Sequence, residues 1–160
     1  MSLRLLALYL ALATLPRFAG AHDYECASII DPVGEARKTI AELGLSDRVD
    51  AIKDLRLTEP LGYLDFLNLS SHARLVLTDS GGIQEETTAL GIPCLTLREN
   101  TERPITVEMG TNVIVGTDTA KIIAAASATL NGSAKKPLKQ PPLWDGHTSE
   151  RILDALEQAG

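Results

Sequence analysis

The chain has 160 residues, 44 % hydrophobic and 22 % charged, so it can bury a core and is neither disordered nor fibrous. Its net charge of −6 excludes an extended phosphate-backbone interface, and no nucleic-acid partner is expected. A single nucleotide is not excluded, because backbone N–H groups and one or two arginines can hold it.

Arg4 precedes the apolar run Leu5–Leu15, and Ala19-Gly20-Ala21 follows. This fits a signal peptide over residues 1–21 and an exported protein. It also fits an amphipathic or buried helix rich in Leu and Ala, in a protein that is otherwise cytoplasmic in character. The run falls short of the about 20 apolar residues a bilayer span requires, so no membrane partner is expected.

Beyond residue 30 two kinds of segment alternate. A helix is expected from Asp31-Pro32 to Leu43, with Ala36, Ile40 and Leu43 at helical spacing and Gly44 as its stop. A short strand follows at Leu55–Leu57, then a helix over Tyr63–Leu69 with Leu64, Leu67 and His72 stepping around one side. Leu75–Thr78 is a continuous apolar run, as expected of a strand buried on both faces. Gly81-Gly82 breaks it, and Ile83–Leu90 is helical up to Gly91. Then come a strand at Pro93–Leu97, a short helix around Ile105–Met109, a strand at Asn112–Val115 and a helix over Thr119–Leu130. Residues 131–142 turn to Lys, Pro and Ser, as in an exposed connector, and a last helix near Ser149–Leu156 is expected to dock back together with Trp144. The expected organisation is therefore an N-terminal segment at 1–30, signal-like or helical, a Rossmann-like domain at 31–130, and a connector with a terminal helix at 131–160. Strand and helix alternating at this spacing imply an α/β fold, a parallel sheet with helices on both faces. Ligands of such sheets bind beyond the C-terminal strand ends, where the loops at 78–82 and 98–104 lie.

The strand–Gly81-Gly82–helix junction is the first candidate site. A helix start offers free N–H groups and partial positive charge, and glycines allow close approach of a phosphate. Ser80 can cap the helix or donate to a phosphate oxygen; a tight turn with nothing bound is the other reading. On a helical wheel Ile83, Thr87 and Leu90 share the inward stripe, and Glu85 falls opposite, as a solvated residue complementing the dipole. Glu86 falls about 60° to the side of the stripe, partly buried. It could accept from ribose hydroxyls while the phosphates meet residues 80–82, or be an ordinary helix charge. In the loop Arg98-Glu-Asn-Thr-Glu-Arg-Pro104, Arg103 supplies a forked cation suited to a diphosphate. Alternatively Arg98 and Arg103 merely pair with Glu99 and Glu102. Tyr63 and Phe66 read as core, or as an aromatic stacked on a base. His22, His72 and His147 form no base–nucleophile or metal-binding set, and Cys26 and Cys94 read as free thiols. No GxGxxG or Walker pattern is present, and no metal or cofactor is expected.

Glu59–Phe66, Leu75–Glu86, Gly91–Arg98, Thr101–Pro104, Gly110–Asn112 and Pro142–Gly146 together resemble, in order and spacing, the second domain of bacterial UDP-N-acetylglucosamine 2-epimerases. The resemblance implies one half of a glycosyltransferase-B-like fold whose two Rossmann-like domains close over a sugar nucleotide. It implies elimination of UDP to a 2-acetamidoglucal intermediate and re-addition with inversion at C2. By the same resemblance Ser80, Gly81, Gly82 and Arg103 hold the diphosphate, Glu86 the ribose and Phe66 the uracil. The first domain, which in the family carries the proton-transfer carboxylates, has no counterpart in residues 1–160, and Asp31-Pro32 stands where the family has His-Pro. No catalytic residue is therefore expected here, and the chain reads as N-terminally truncated. Three roles remain open: the UDP-binding half of an enzyme, a non-catalytic module pairing with a separate first-domain chain or with itself, and a poorly folding fragment.

Overall fold

The structure, a computed structural model, describes residues 27–30, 35–133 and 139–159. The expectations for the signal-like segment and for Cys26, His22 and Asp31-Pro32 lie outside them. In chain order the described residues form β1 (Ala27–Ile30), α1 (Glu35–Glu42), α2 (Ser46–Asp50), β2 (Leu55–Thr58), α3 (Tyr63–Ser71), β3 (Val76–Thr78), α4 (Gly81–Leu90), β4 (Cys94–Thr96), α5 (Pro104–Glu108), β5 (Asn112–Ile114), α6 (Thr119–Leu130) and α7 (Thr148–Ala159). Strands and helices alternate as expected from β2 onward. β1 and the five-residue α2 were not expected, being too short to carry a periodic signal.

All strand pairs are parallel. β1 lies beside β2 with Ala27 opposite Leu55, and β3, β4 and β5 form a three-stranded sheet with β4 in the centre. Val76 and Asn112 flank Cys94 from either side. Central β4 is the segment buried on both faces, whereas β3, expected to be so, is only half-buried before Thr78. Along β4 the side chains alternate. Leu97, just past its end, meets Ile122 of α6 together with Leu77 and Val115. The Cys94 thiol points the other way, bonding to Thr87 on α4. Helices therefore cover both faces, the α/β arrangement the alternating pattern implies. The β1–β2 sheet has its own core, Ile40 and Val49 packed on by Leu45, Ile52, Leu55 and Leu57.

Local chemistry sets the helix ends that matter for the site. Ser80 is the extended N-cap of α4. Gly91, at φ 72°, ends that helix, its N–H bonding to the Thr88 carbonyl and that of Ile92 to Thr87, the paired bonds of a left-handed glycine stop. Pro104 occupies the first turn of α5. Asp118 caps α6 by accepting the Lys121 N–H at 2.9 Å.

Three packing expectations are corrected. On α3 the inward side is Phe66, Leu67 and Ser70, while Leu64 is 76 % exposed and His72 is exposed. On α4 the buried residues are Gln84, Thr87 and Thr88, and Leu90 is 40 % exposed. The helix turns a polar face inward, which a search for apolar periodicity cannot locate. On α7, Ile152, Leu153 and Leu156 stay 54–65 % exposed, so no apolar partner among the described residues receives the stripe expected to dock.

Candidate functional site

The C-terminal ends of β3 and β4 deliver the two expected loops to the same edge. The helix start comes first. Ser80 is exposed, its N–H donates to the Thr78 hydroxyl at 3.0 Å, and its own hydroxyl makes no capping bond. Of the two uses foreseen for that hydroxyl, capping is the one the fold does not make. Gly81 lies directly beneath Arg103: a Cβ there would sit 3.8 Å from the arginine Cγ and 3.9 Å from Nε. Gly82 is exposed, with only the Ser80 Oγ near the place of its missing Cβ, at 4.0 Å. Free N–H groups, two uncrowded glycines, a hydroxyl and a guanidinium therefore converge on one helix end.

Arg103 forms its ion pair with neither Glu99 nor Glu102. Its Nε is 3.0 Å from Glu85 Oε1, across the first turn of α4, while Arg98 takes Glu102 at 3.6 Å. Glu85 is thus not merely solvated opposite the inward stripe. The loop after β4 crosses the helix start and brings the guanidinium to it. This leaves the two terminal nitrogens of the fork directed elsewhere, Nη1 reaching the Glu102 carbonyl only at 3.5 Å. Glu86 is half-buried, as the wheel indicated, and its Oε2 is sealed from solvent without a hydrogen-bond partner among the described residues. Such a carboxylate oxygen is costly to leave unpaired and is suited to accept from a hydroxyl. Phe66 stands apart from this group: it is half-buried on α3, a helix that packs against α4.

A further set of residues escaped the sequence reading. Gln84, Thr96, Thr106 and Asn112 are fully buried polar side chains, packed between α4, β4, α5 and β5. Asn112 Nδ2 donates to Gln84 Oε1 and to Thr106 Oγ1, each at 3.0 Å, and its Oδ1 accepts the Thr96 hydroxyl at 2.7 Å. The Thr101 hydroxyl donates to the same Gln84 Oε1 at 2.6 Å. The available signal was a cluster of amide and hydroxyl side chains inside segments otherwise read as core.

The Cys94 thiol, buried beside these groups, has its pKa pushed up from 9.0 to about 11 by desolvation, against the opposing hydrogen bonds of Thr87 and Thr96. It is a free, buried cysteine and unsuited to nucleophilic work. Among the described residues no group of three or more His, Cys, Asp or Glu could hold a metal ion, and no helix is long and apolar enough to cross a membrane.

Comparison with known proteins gives this edge a context. The UDP-N-acetylglucosamine 2-epimerase of Methanocaldococcus jannaschii is 44 % identical over 133 residues, covering 83 % of this chain and 36 % of that protein. That of Methanococcus maripaludis is 37 % identical over 130 residues, covering 81 % and 35 %. The chain thus spans about a third of the length of these curated relatives. The crystal structure of the M. jannaschii enzyme in complex with UDP-GlcNAc and UDP superposes with a TM-score of 0.73 at 38 % identity, covering 97 % of this chain and 40 % of that one. The Neisseria meningitidis UDP-GlcNAc 2-epimerase bound to UDP-GlcNAc gives 0.75 at 31 % identity, covering 98 % and 40 %. With the sequence profile of that family matching residues 12–157 as well, the chain belongs to the UDP-N-acetylglucosamine 2-epimerase family.

Proposed function

We propose that this chain holds the UDP portion of a UDP-N-acetylhexosamine and contributes that half of the site to interconversion of UDP-GlcNAc and UDP-ManNAc. The diphosphate lies at the start of α4, on the Ser80 hydroxyl and the N–H groups at Gly81 and Gly82, with the Arg103 fork on its other side. The ribose hydroxyls donate to Glu86, and Phe66 stacks on the uracil. What carries this reading is the convergence of Arg103 on Gly81, within 4 Å of where a side chain would stand, at the start of the helix whose second turn bears the unpaired Glu86 oxygen. A dianion gains from the helix end and the guanidinium together. Its neutral sugar gains from the carboxylate.

In this reaction UDP leaves C1 as the C2 proton is removed, and both return with C2 inverted. The groups named here bind the leaving UDP and keep it in place for re-addition. Proton transfer at C2 is assigned to the part of the family fold beyond these 160 residues, whether on the same polypeptide, on a separate chain or on a second copy. A cytoplasmic location is part of the same reading. Calorimetric titration of the chain with UDP, UDP-GlcNAc and ADP tests the binding. Saturable binding of UDP and UDP-GlcNAc, with ADP weaker, is expected. No saturable binding of UDP, or equal binding of ADP, overturns the assignment.

A further inference from the structure

We infer that the buried Gln84–Asn112–Thr106–Thr101 network positions Arg103, making Thr101 and Thr106 positioning residues for the diphosphate. The inference rests on the UDP reading above for what Arg103 meets, but not for how Arg103 is held. Arg103 is exposed at its side chain and carries no helix or strand geometry at its own backbone. Both of its peptide groups are nevertheless bonded to threonine hydroxyls. The Thr101 Oγ1 accepts the Arg103 N–H at 2.9 Å, and the Thr106 Oγ1 donates to the Arg103 carbonyl at 2.7 Å. Each hydroxyl is in turn fixed from behind. Thr101 donates into Gln84 Oε1, and Thr106 accepts from Asn112 Nδ2, which also donates to that same Gln84 oxygen.

The directions of these bonds leave little freedom. The Asn112 amide nitrogen Nδ2 can only donate, so Thr106 must accept from it and spend its own proton on the Arg103 carbonyl. Gln84 Oε1 can only accept, so Thr101 must donate to it and offer its lone pair to the Arg103 N–H. Gln84 stands three residues beyond Gly81 on α4, so one rigid helix turn carries both the phosphate-facing N–H groups and the anchor of the arginine loop. The spacing between helix start and guanidinium is thereby set from inside the fold, and a buried network of this kind resists rearrangement more than its separate bonds suggest.

The test is a double-mutant cycle with a ligand-free arm, on the full chain. Thr101→Val keeps the shape and removes both bonds; Thr101→Ser keeps the hydroxyl. UDP affinity should fall about five- to tenfold in Thr101→Val and recover in Thr101→Ser. In the Arg103→Ala background Thr101→Val should change affinity by less than about twofold, since its effect runs through the arginine. An equal loss in both backgrounds, or none in either, overturns the inference. Amide hydrogen exchange at Arg103, measured without ligand, should speed up in Thr101→Val while the thermal midpoint stays near wild type; unchanged protection overturns it equally. A wild-type chain that ignores UDP would sink the binding reading alone, and the exchange arm would still decide the positioning.

Discussion

Gly110→Ala is expected to destabilise the fold through a contact that can be named. Gly110 is buried, and a Cβ built on it would collide with the Thr88 hydroxyl and methyl and come 2.7 Å from the Thr106 carbonyl oxygen. Thr88 is 1 % exposed and cannot swing away, and the carbonyl belongs to the backbone of α5. Overpacking of this kind costs about 1–3 kcal/mol. Its opponent is the lower entropy of the unfolded alanine chain, about 0.4–1 kcal/mol. Taking the middle of each range, about 2 against about 0.7 kcal/mol, leaves a net loss of about 1.3 kcal/mol, a fall in thermal midpoint of about 3–5 °C for a chain of this size. Thermal and urea unfolding of Gly110→Ala, Thr88→Ala and the double variant measure it. The double variant should recover part of the loss, because Thr88→Ala removes two of the three colliding atoms. A midpoint unchanged in Gly110→Ala, or a loss fully additive with Thr88→Ala, refutes the packing argument.

Four further outcomes follow from the site and its surroundings. Arg103→Ala should weaken UDP binding by about 1.5–3 kcal/mol, the loss of a charge-assisted contact, and unchanged affinity by calorimetry removes Arg103 from the site. Glu86→Gln should weaken UDP while leaving inorganic diphosphate almost unaffected; equal losses for both ligands would move Glu86 off the ribose. Glu85→Gln keeps an acceptor for the Arg103 Nε but removes a negative charge near the diphosphate, so UDP should bind tighter by about 0.5–1 kcal/mol, less at high salt, and weaker binding would refute this. Because the folded pKa of Cys94 lies above its ordinary 9.0, its contribution to stability is complete below pH 9 and is lost as pH rises through about 11. Wild type should therefore lose more stability than Cys94→Ser between pH 8 and about 10.5 in urea unfolding; parallel losses would contradict it.

Much of the architecture was legible because its punctuation is local. Gly44 and Gly91, both at positive φ, stop α1 and α4 near where the sequence placed the breaks, and the span of α6 was read without error. The geometry of the candidate site was legible in part. The glycine pair after β3 and the arginine before Pro104 announced themselves by type and position, and the half-burial of Glu86 followed from the wheel. What the sequence could not supply is contact between distant segments. Glu85 and Arg103 are paired only because the loop after β4 folds over the first turn of α4, and nothing in their spacing marks it. The exposed apolar stripe of α7 was likewise readable as a stripe, but what covers it is not a property of that segment.

The misplacement of Leu90 has the same root as the unrecognised network. Apolar periodicity assumes that whatever faces inward is greasy, whereas α4 presents Gln84, Thr87 and Thr88 to the sheet. An apolar interface there would give equal or greater stability, since buried polar groups must recover their desolvation through well-made bonds. It would also tolerate sliding, because apolar contacts are non-directional. Amide and hydroxyl bonds from Gln84 to Asn112, and from Asn112 to Thr96, admit one register between helix and strands. The proposed site, with phosphate donors on the helix and a cation on the loop after β4, would depend on that register directly. The polar interface is therefore best understood as part of the site, lying behind the residues that would meet the ligand and fixing how far apart they stand.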